Sequence, residues 1–282
     1  MKIAVTGAAG LFGKGLTQVF REKHEVFPFT RQESDITDHA RMRTLMTDIL
    51  PDVIVHPAGI ADVDECERNP ELAFRVNTEA TKNLVEIAKD LGARFAFVST
   101  DAVFDGRANR PYVETGTVNP PSVYGRTKVA AEEGVRQYDR HCIFRVSVLF
   151  GPGKANFVNK GLCKAWGKEQ YIVASDQLGN ATYTVDAART MLQVFAAEAN
   201  GTFHLCNQDE CTRYELAQRA VELAGLDSSI VVGKPMAEMN RPGPRLKYSV
   251  MEMRGLRTAG IPLPRPWEEA LQEYVKGLQA PG

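Results

Sequence analysis

Long apolar runs are missing from this chain. No stretch approaches the roughly 20 residues that cross a bilayer as a helix, and the Lys2-Ile3-Ala4-Val5 run behind Met1 reads as a strand, not as a secretory signal. An excess of one charge is missing too. The 34 Lys and Arg balance 35 Asp and Glu, for a net charge of -1, so neither nucleic acid nor an anionic membrane is an expected partner. Cysteine is scarce. The five, Cys66, Cys142, Cys163, Cys206 and Cys211, are odd in number and include no Cys-x-x-Cys pair, which argues against a disulfide framework and for a reduced, cytoplasmic setting. Cys142 and Cys206 lie inside apolar runs and read as small core hydrophobes. No His/Cys/Asp cluster has ligand spacing, and no metal site is expected. Internal repeats and low-complexity segments are absent as well.

What is present is alternation. Lys2 to Thr6, Glu25 to Thr30, Val53 to Val55, Phe95 to Val98 and Cys142 to Val148 read as strands. Between them, Gly10 to Lys23, Asp38 to Leu50 (capped by Asp38, stopped by Pro51), Glu71 to Leu91 and Val123 to Tyr138 read as helices. Strand, helix, strand in series implies right-handed crossovers and a doubly wound parallel sheet. After Phe150 the pattern loosens. Phe157 to Trp166, Asp186 to Ala197 and Arg213 to Ala224 read as helices, and Thr182 to Val185 and Phe203 to Cys206 as strands. Arg241 to Arg245 is a loop, and Pro262, Pro264 and Pro266 argue against regular structure nearby. The expected division is a dinucleotide-binding domain over residues 1–150 and a smaller α/β substrate domain over residues 151–282, with a return to the first around residues 180–206.

Gly7, Gly10 and Gly13 follow the first strand and open a helix. Backbone without a Cβ can approach a pyrophosphate, and the helix N-terminus offers free N–H groups and partial positive charge to it. The spacing is G-x-x-G-x-x-G; the alternative is a tight strand-to-helix connection. At the end of the second strand stand Phe29-Thr30-Arg31. No acid there claims a ribose 2′-hydroxyl, and Arg31 can pair with a 2′-phosphate. NADPH is therefore the expected cofactor, with NADH the alternative and a solvated Arg31 the plainer reading.

Ser99-Thr100-Asp101 ends the fourth strand, where open α/β sheets bind ligands. Tyr124 and Lys128 follow, four residues apart on one helical face. An ammonium beside a phenol favours the phenolate and tunes it for proton transfer. Thr100 can hold a substrate carbonyl within reach of Tyr124. The bland alternatives are a capped turn and a core aromatic. His56 and His204, in apolar strands, read as core histidines.

Thr6 to Gly13, Asp35-Ile36-Thr37-Asp38, Val63-Asp64, Val76-Asn77, Ser99-Thr100-Asp101 with Val103-Phe104-Asp105-Gly106, Asn119-Pro120, Tyr124 to Lys128, Asn156-Phe157-Val158, Thr182-Tyr183 and Arg241-Pro242 together resemble an extended short-chain dehydrogenase/reductase, and within it the dTDP-4-dehydrorhamnose reductases. The resemblance implies a Rossmann-type fold and reduction of the 4-keto group of a nucleotide-diphospho sugar. Thr100, Tyr124 and Lys128 would be catalytic: Tyr124 protonates the C4 oxygen, Lys128 also binds the nicotinamide ribose, and Thr100 bonds substrate and phenol. Cofactor contacts are implied at Gly7, Gly10, Leu11, Phe12, Gly13, Arg31, Asp35 and Ile36 (flanking the adenine), Ala58, Gly59, Ser99 and Asn77 (supporting the lysine). Substrate contacts are implied at Val63, Asp101, Ala102, Val148, Asn156 and Arg241. Arg241 and Arg245 can clasp the diphosphate, the alternative being a solvated turn.

Three positions depart from that pattern. His56-Pro57-Ala58 replaces Asn-Ala-Ala, Ala102 replaces a Tyr, and Val148 replaces a Trp. Two lost aromatics remove surface that would hold a sugar ring. Acidic residues that bind magnesium in some relatives have no match. Alternative functions are a non-catalytic NADP-binding subunit resembling the methionine adenosyltransferase β subunit, or a nucleotide-sugar epimerase; dehydration is disfavoured because Ala102 follows Asp101. A homodimer is an open expectation. Replacing Arg31 by Ala should weaken NADPH by about tenfold, a 2′-phosphate hydrogen-bonded ion pair, and leave NADH nearly unchanged; equal losses in fluorescence titrations would remove Arg31 from the phosphate.

Overall fold

Strands that read Ile3-Ala4-Val5, Val53-Ile54-Val55 and Phe95-Ala96-Phe97 have no polar face to show to water, and all of these side chains are buried. Both faces of such a sheet need helices over them. The computed structural model describes residues 1–278; residues 279–282 of the expected second domain lie outside the described residues. In chain order, β1 (Lys2–Thr6), α1 (Leu11–Phe20), β2 (Glu25–Phe29), α2 (His39–Ile49) and β3 (Val53–His56) come first. Then follow α3 (Val63–Arg68), α4 (Pro70–Phe74), a π-helical turn (Arg75–Glu79), α5 (Ala80–Leu91), β4 (Arg94–Thr100), a 3-10 turn (Asp101–Val103), α6 (Val123–Val135) and β5 (His141–Val146).

The remaining elements are β6 (Val148–Phe150), α7 (Phe157–Trp166), β7 (Tyr171–Ala174), β8 (Leu178–Gly179), β9 (Ala181–Tyr183), α8 (Thr184–Ala196), β10 (Gly201–His204), β11 (Cys211–Thr212), α9 (Arg213–Leu223), β12 (Val231–Lys234), α10 (Arg254–Thr258) and α11 (Trp267–Lys276). Six strands form one sheet in the order β2-β1-β3-β4-β5-β10, and every pair in it is parallel. The order reverses at β1, so the crevice beyond the carboxyl ends of β1 and β3 is a topological switch point. Pro28 sits in β2 at the sheet's edge, where a missing N–H breaks no inner ladder. Outside this sheet lie three short pairs, β6 with β9, β7 with β12 and β8 with β11.

Several expected elements differ. The single helix over residues 71–91 is in fact α4, a π turn and α5, preceded by the unforeseen α3. Pro70 starts α4, and the widened turn contains Asn77, whose side chain bonds the backbone of Ile60. The strand expected over residues 142–148 ends at Val146; the chain bends at Ser147 and Val148 pairs with β9. β9 stops at Tyr183, and α8 begins two residues earlier than Asp186. Pro262 and Pro264 do lie in irregular chain, but Pro266 caps α11, a helix the proline cluster concealed. The β7–β12 pair was also unforeseen.

A polar cluster centres on a carboxylate buried inside this apolar frame. The Glu132 side chain on α6 is 0% exposed. It accepts from Ser99 Oγ on β4 (2.6 Å), from Arg145 Nε and Nη2 on β5 (2.9 and 2.7 Å) and from Arg136 Nη2 (2.6 Å). Burial pushes its carboxyl up, but the hydrogen bonds and charge of Arg145 outweigh burial and hold it below the ordinary range. Replacing Glu132 by Ala leaves a buried guanidinium without its carboxylate, and urea denaturation should show a loss of about 3–5 kcal/mol. A loss below about 1 kcal/mol would show that the pair is not a structural tie.

Candidate active site

Gly7, directly behind β1, has φ +59°, and the Gly10 N–H closes the turn on its carbonyl at 2.8 Å. Gly10 is the N-cap of α1 and offers no side-chain cap, so the first-turn amides of Leu11, Phe12 and Gly13 face outward for an anion. Phe12 contributes its amide alone, because its ring is in the core. A Cβ on Gly13 would lie 2.2 Å from the Gly7 oxygen, and one on Gly7 would lie 2.8 Å from Ala58 Cα. The glycine turn and the Ala58-Gly59 segment behind β3 therefore touch backbone to backbone. This is a cradle that a side chain would fill, and it fits a dinucleotide.

His56, one of the departures, braces that crevice from below. Its Nδ1 lies 2.7 Å from Thr6 Oγ1 and its Nε2 3.1 Å from Thr81 Oγ1. The Thr81 hydroxyl donates to the Asn77 carbonyl, so the ring proton is on Nε2 and Thr6 donates to Nδ1. Burial first, then the Lys128 charge, lowers the imidazole to about 3, and it stays neutral. His204 is buried as well, but only its Nδ1 finds a partner, the Glu252 carbonyl at 2.9 Å, and its Nε2 has none.

At the adenine end, Asp35 accepts from the Thr37 amide and hydroxyl (2.9 and 2.8 Å), which hold its carboxyl low. Ile36 is half-buried beside it, and Arg31 is exposed. The Thr30 amide and hydroxyl both donate to Glu33 (3.2 and 2.9 Å), so a carboxylate that the strand's last residues did not announce stands beside Arg31.

β4 carries Ser99 and Thr100 on opposite faces. Ser99 points down to Glu132, and its hydroxyl is turned away from the rim. Thr100 is at the rim, donating to Asp101 Oδ1 at 3.1 Å and accepting from the Ala102 amide. Ser147 Oγ donates to Asp101 Oδ2 at 2.7 Å. Ser122 caps α6 through the Gly125 amide, which sets Tyr124 in the first turn and Lys128 one turn on. The phenol is not lowered as the Tyr-Lys spacing suggests. Burial raises it above its ordinary range, the Thr100 hydroxyl pulls it back in part, and the Asp101 charge raises it further. The lysine is the group that moves down. Burial lowers its ammonium to about 7, opposed by the Glu132 charge. Its Nζ lies 4.1 Å from the Phe97 ring centroid, and no hydrogen bond or ion pair of Nζ is found among the described residues. Among the described residues Asn77 makes no direct hydrogen bond to Lys128, which leaves support through a water open. Its amide bonds Ile60 N and O (2.7 and 3.0 Å) and Thr127 Oγ1 (3.0 Å), tying the segment behind β3 to α6.

Among the expected substrate residues, Val63, Asp101, Ala102 and Val148 are half-buried. Asn156 is 5% exposed and caps α7, with its amide on Gly151 O and the Tyr274 hydroxyl (both 2.9 Å) and its oxygen on the Val158 and Asn159 amides. Those contacts leave it no polar group to turn to a sugar. The arginines of the late loop separate in role. Arg245 is tied to Asp64 (3.0 Å), while Arg241 is exposed and has no ion pair among the described residues. Within electrostatic range of Arg241 is Arg213, which sequence reading passed over. Burial lowers the Arg213 guanidinium, Asp101 opposes this, and Arg241 adds to it; its Nη1 is buried without a hydrogen-bond partner. Arg213 opens α9, where the helix dipole disfavours a cation, and that mismatch was its one sequence signal. Two guanidiniums that act on each other electrostatically, with no ion pair of either found among the described residues, have the chemistry to take an anion.

A family model described as RmlD substrate binding domain matches residues 1–280. The chain is 35% identical to a dTDP-4-dehydrorhamnose reductase of Streptomyces griseus, with 97% of this chain and 93% of the other covered. It is 34% identical to a dTDP-4-keto-6-deoxy-D-glucose reductase of Streptomyces niveus, with 98% and 97% covered. A crystal structure of dTDP-4-dehydrorhamnose reductase from Bacillus anthracis, in complex with NADP, superposes with a TM-score of 0.95 at 28% identity, covering 98% of this chain and 99% of that one.

The lysine yields a thermodynamic prediction. Its cation is disfavoured in the free protein and titrates near 7, and acceptor hydroxyls of a bound ribose favour the cation again. NADPH binding just above neutral pH should therefore take up a fraction of a proton. Calorimetric enthalpies should vary with the buffer's ionisation enthalpy in the native protein and cease to vary in Lys128→Met; buffer-independent enthalpies in the native protein would place Lys128 away from the cofactor.

Proposed function

The chain belongs to the RmlD substrate binding domain family, and on that premise we propose that it catalyses the NADPH-dependent reduction of the 4-keto group of a dTDP-linked sugar. Bound NADPH supplies the hydride that reaches the carbonyl carbon. The protein supplies the rest. Thr100 and Tyr124 hold the carbonyl oxygen by hydrogen bonds, and the Tyr124 hydroxyl gives its proton to that oxygen as the C=O bond becomes C–O–H. A phenol held above its ordinary range stays protonated at neutral pH, which suits an acid awaiting a hydride. The phenolate left behind is favoured by the Lys128 cation one turn away. Arg213 and Arg241 take the diphosphate. The observation that carries this reading is Lys128, a buried residue on the helix of Tyr124 whose ammonium has no hydrogen bond or ion pair among the described residues, together with a glycine turn that leaves the start of α1 without a side-chain cap.

The sugar pocket is less aromatic than the family pattern, with Ala102 and Val148 in place of large rings. Two relatives of nearly equal identity carry the names of different 4-keto sugars, so the reading extends to the 4-keto class, with dTDP-4-dehydrorhamnose as the first substrate to try. It places the protein in the cytoplasm; among the described residues no helix is long and apolar enough to cross a membrane.

Adding dTDP-4-dehydrorhamnose or its 6-deoxyglucose epimer to protein and NADPH should consume the NADPH absorbance. Tyr124→Phe should lower kcat by about a hundredfold or more, the range for a lost general acid, with NADPH affinity within about twofold. Absence of turnover with either sugar, alongside intact NADPH binding, would favour a non-catalytic cofactor-binding subunit.

A further inference from the structure

The loop that carries Arg241 belongs to the C-terminal half of the chain, yet it is fastened to the N-terminal half at one point. Asp64 Oδ1, in the first turn of α3, accepts from the Gly243 amide at 2.9 Å and from Arg245 Nη1 at 3.0 Å. The same Nη1 donates to the Gly243 carbonyl at 2.7 Å, so carboxylate, guanidinium and loop backbone close a small ring. The fit is tight. A Cβ on Gly243 would lie 2.8 Å from Val63 Cγ1, 2.8 Å from Arg245 Nη1 and 3.1 Å from Asp64 Oδ1. The side chains of Arg245 and Asp64 are only 17% and 28% exposed, and partial burial makes such a pair stronger and less salt-sensitive than a surface pair. The Arg245 bond, then the Gly243 amide, hold the Asp64 carboxyl below the ordinary range. Arg241 is two residues from the fastened glycine, at the exposed end of the same loop. Val63, next to Asp64, packs against that glycine.

We propose that Asp64 is a positioning residue for substrate: by fastening Gly243 and Arg245 to α3 it fixes the 241–245 loop so that Arg241 stands with Arg213 over the cleft, and it thereby sets the affinity for the nucleotide diphosphate without touching it. This rests on the reading of Arg213 and Arg241 as the diphosphate site. Unfastened, the loop has to be ordered at the moment of binding, and the ordering entropy is subtracted from affinity. Among the described residues the glycine turn behind β1 and the Ala58-Gly59 segment behind β3 share no hydrogen bond with the loop, so NADPH affinity is expected to be independent of the fastening.

The test is calorimetric titration of the NADPH-bound protein with dTDP, together with steady-state kinetics. Asp64→Ala should weaken dTDP and raise KM for the keto sugar by about tenfold, the scale of a lost charge-assisted pair, with kcat and NADPH affinity within about twofold. Asp64→Glu should recover part of the loss, and Arg245→Met should reproduce most of it without altering α3. In a double-mutant cycle, Asp64→Ala should add little on an Arg241→Ala background, because it acts through that residue. Full additivity in the cycle, or unchanged dTDP affinity in both Asp64→Ala and Arg245→Met, overturns the proposal. If Arg241→Ala alone leaves dTDP affinity intact, it is the diphosphate reading that fails; if Arg241→Ala weakens dTDP and Asp64→Ala does not, only the positioning role fails.

Discussion

Glu132 has no access to water and accepts hydrogen bonds from Ser99, Arg145 and Arg136, so β4, β5 and α6 cannot slide past one another without leaving a charge unpaired in a low-dielectric interior. The geometry of the reactive groups follows from that constraint. Thr100 is the neighbour of Ser99 on β4, and Tyr124 and Lys128 lie on the helix that Glu132 anchors. The same carboxylate is the nearest charge that favours the Lys128 cation, which burial otherwise disfavours. Packing and electrostatics thus meet in one residue: it orients the catalytic helix and keeps its lysine within range of protonation.

The free protein holds its charges in an unbalanced arrangement around the cleft. Among the described residues Lys128 has no acceptor and Arg213 and Arg241 have no ion pair, and the charge of Asp101, bridged to Thr100 and Ser147, opposes ionisation of the Tyr124 phenol. On the proposed reading the remedies are of known chemistry: ribose hydroxyls for the lysine and phosphates for the arginines. Ligands that bring those groups bind the folded state alone and so stabilise it by mass action. A site tuned in this way is less stable when free than a site of satisfied groups, a common property of functional regions.

Much of the fold was legible because it is written in periods and punctuation. Fully apolar strands, Asp38 as a cap, Pro51 as a stop and the glycine spacing at residues 7–13 each have a local cause, and the parallel sheet follows from their alternation. The candidate site was legible in its residue types and less so in its orientations. Nothing local in Ser99 tells that its hydroxyl faces Glu132, a partner on another element. Asn156 differs: an Asn directly before a helix is a local cap signal, and its oxygen accepts from the Val158 and Asn159 amides. Arg213 escaped because a lone cation on a helix is ordinary; its meaning appears only when Arg241, from a distant loop, stands beside it. The π turn around Asn77 escaped because helical periodicity hides one widened turn, and the helix after Pro266 because a proline that ends regular structure and one that begins it look alike in sequence.

The path of the chain has a consequence of its own. After β5 the backbone leaves the main sheet, builds β6 and the β7 region, comes back through β9 and α8 to lay β10 on the sheet's far edge, and departs again for α9 and α11. Neither half is a contiguous cassette. A recombination event that swapped the sugar-facing half for that of a relative would have to cut at several places and would take an edge strand of the sheet with it. New sugar preferences in such an architecture are therefore reached residue by residue, at rim positions such as 102 and 148, where an aromatic can be gained or lost without disturbing the threading.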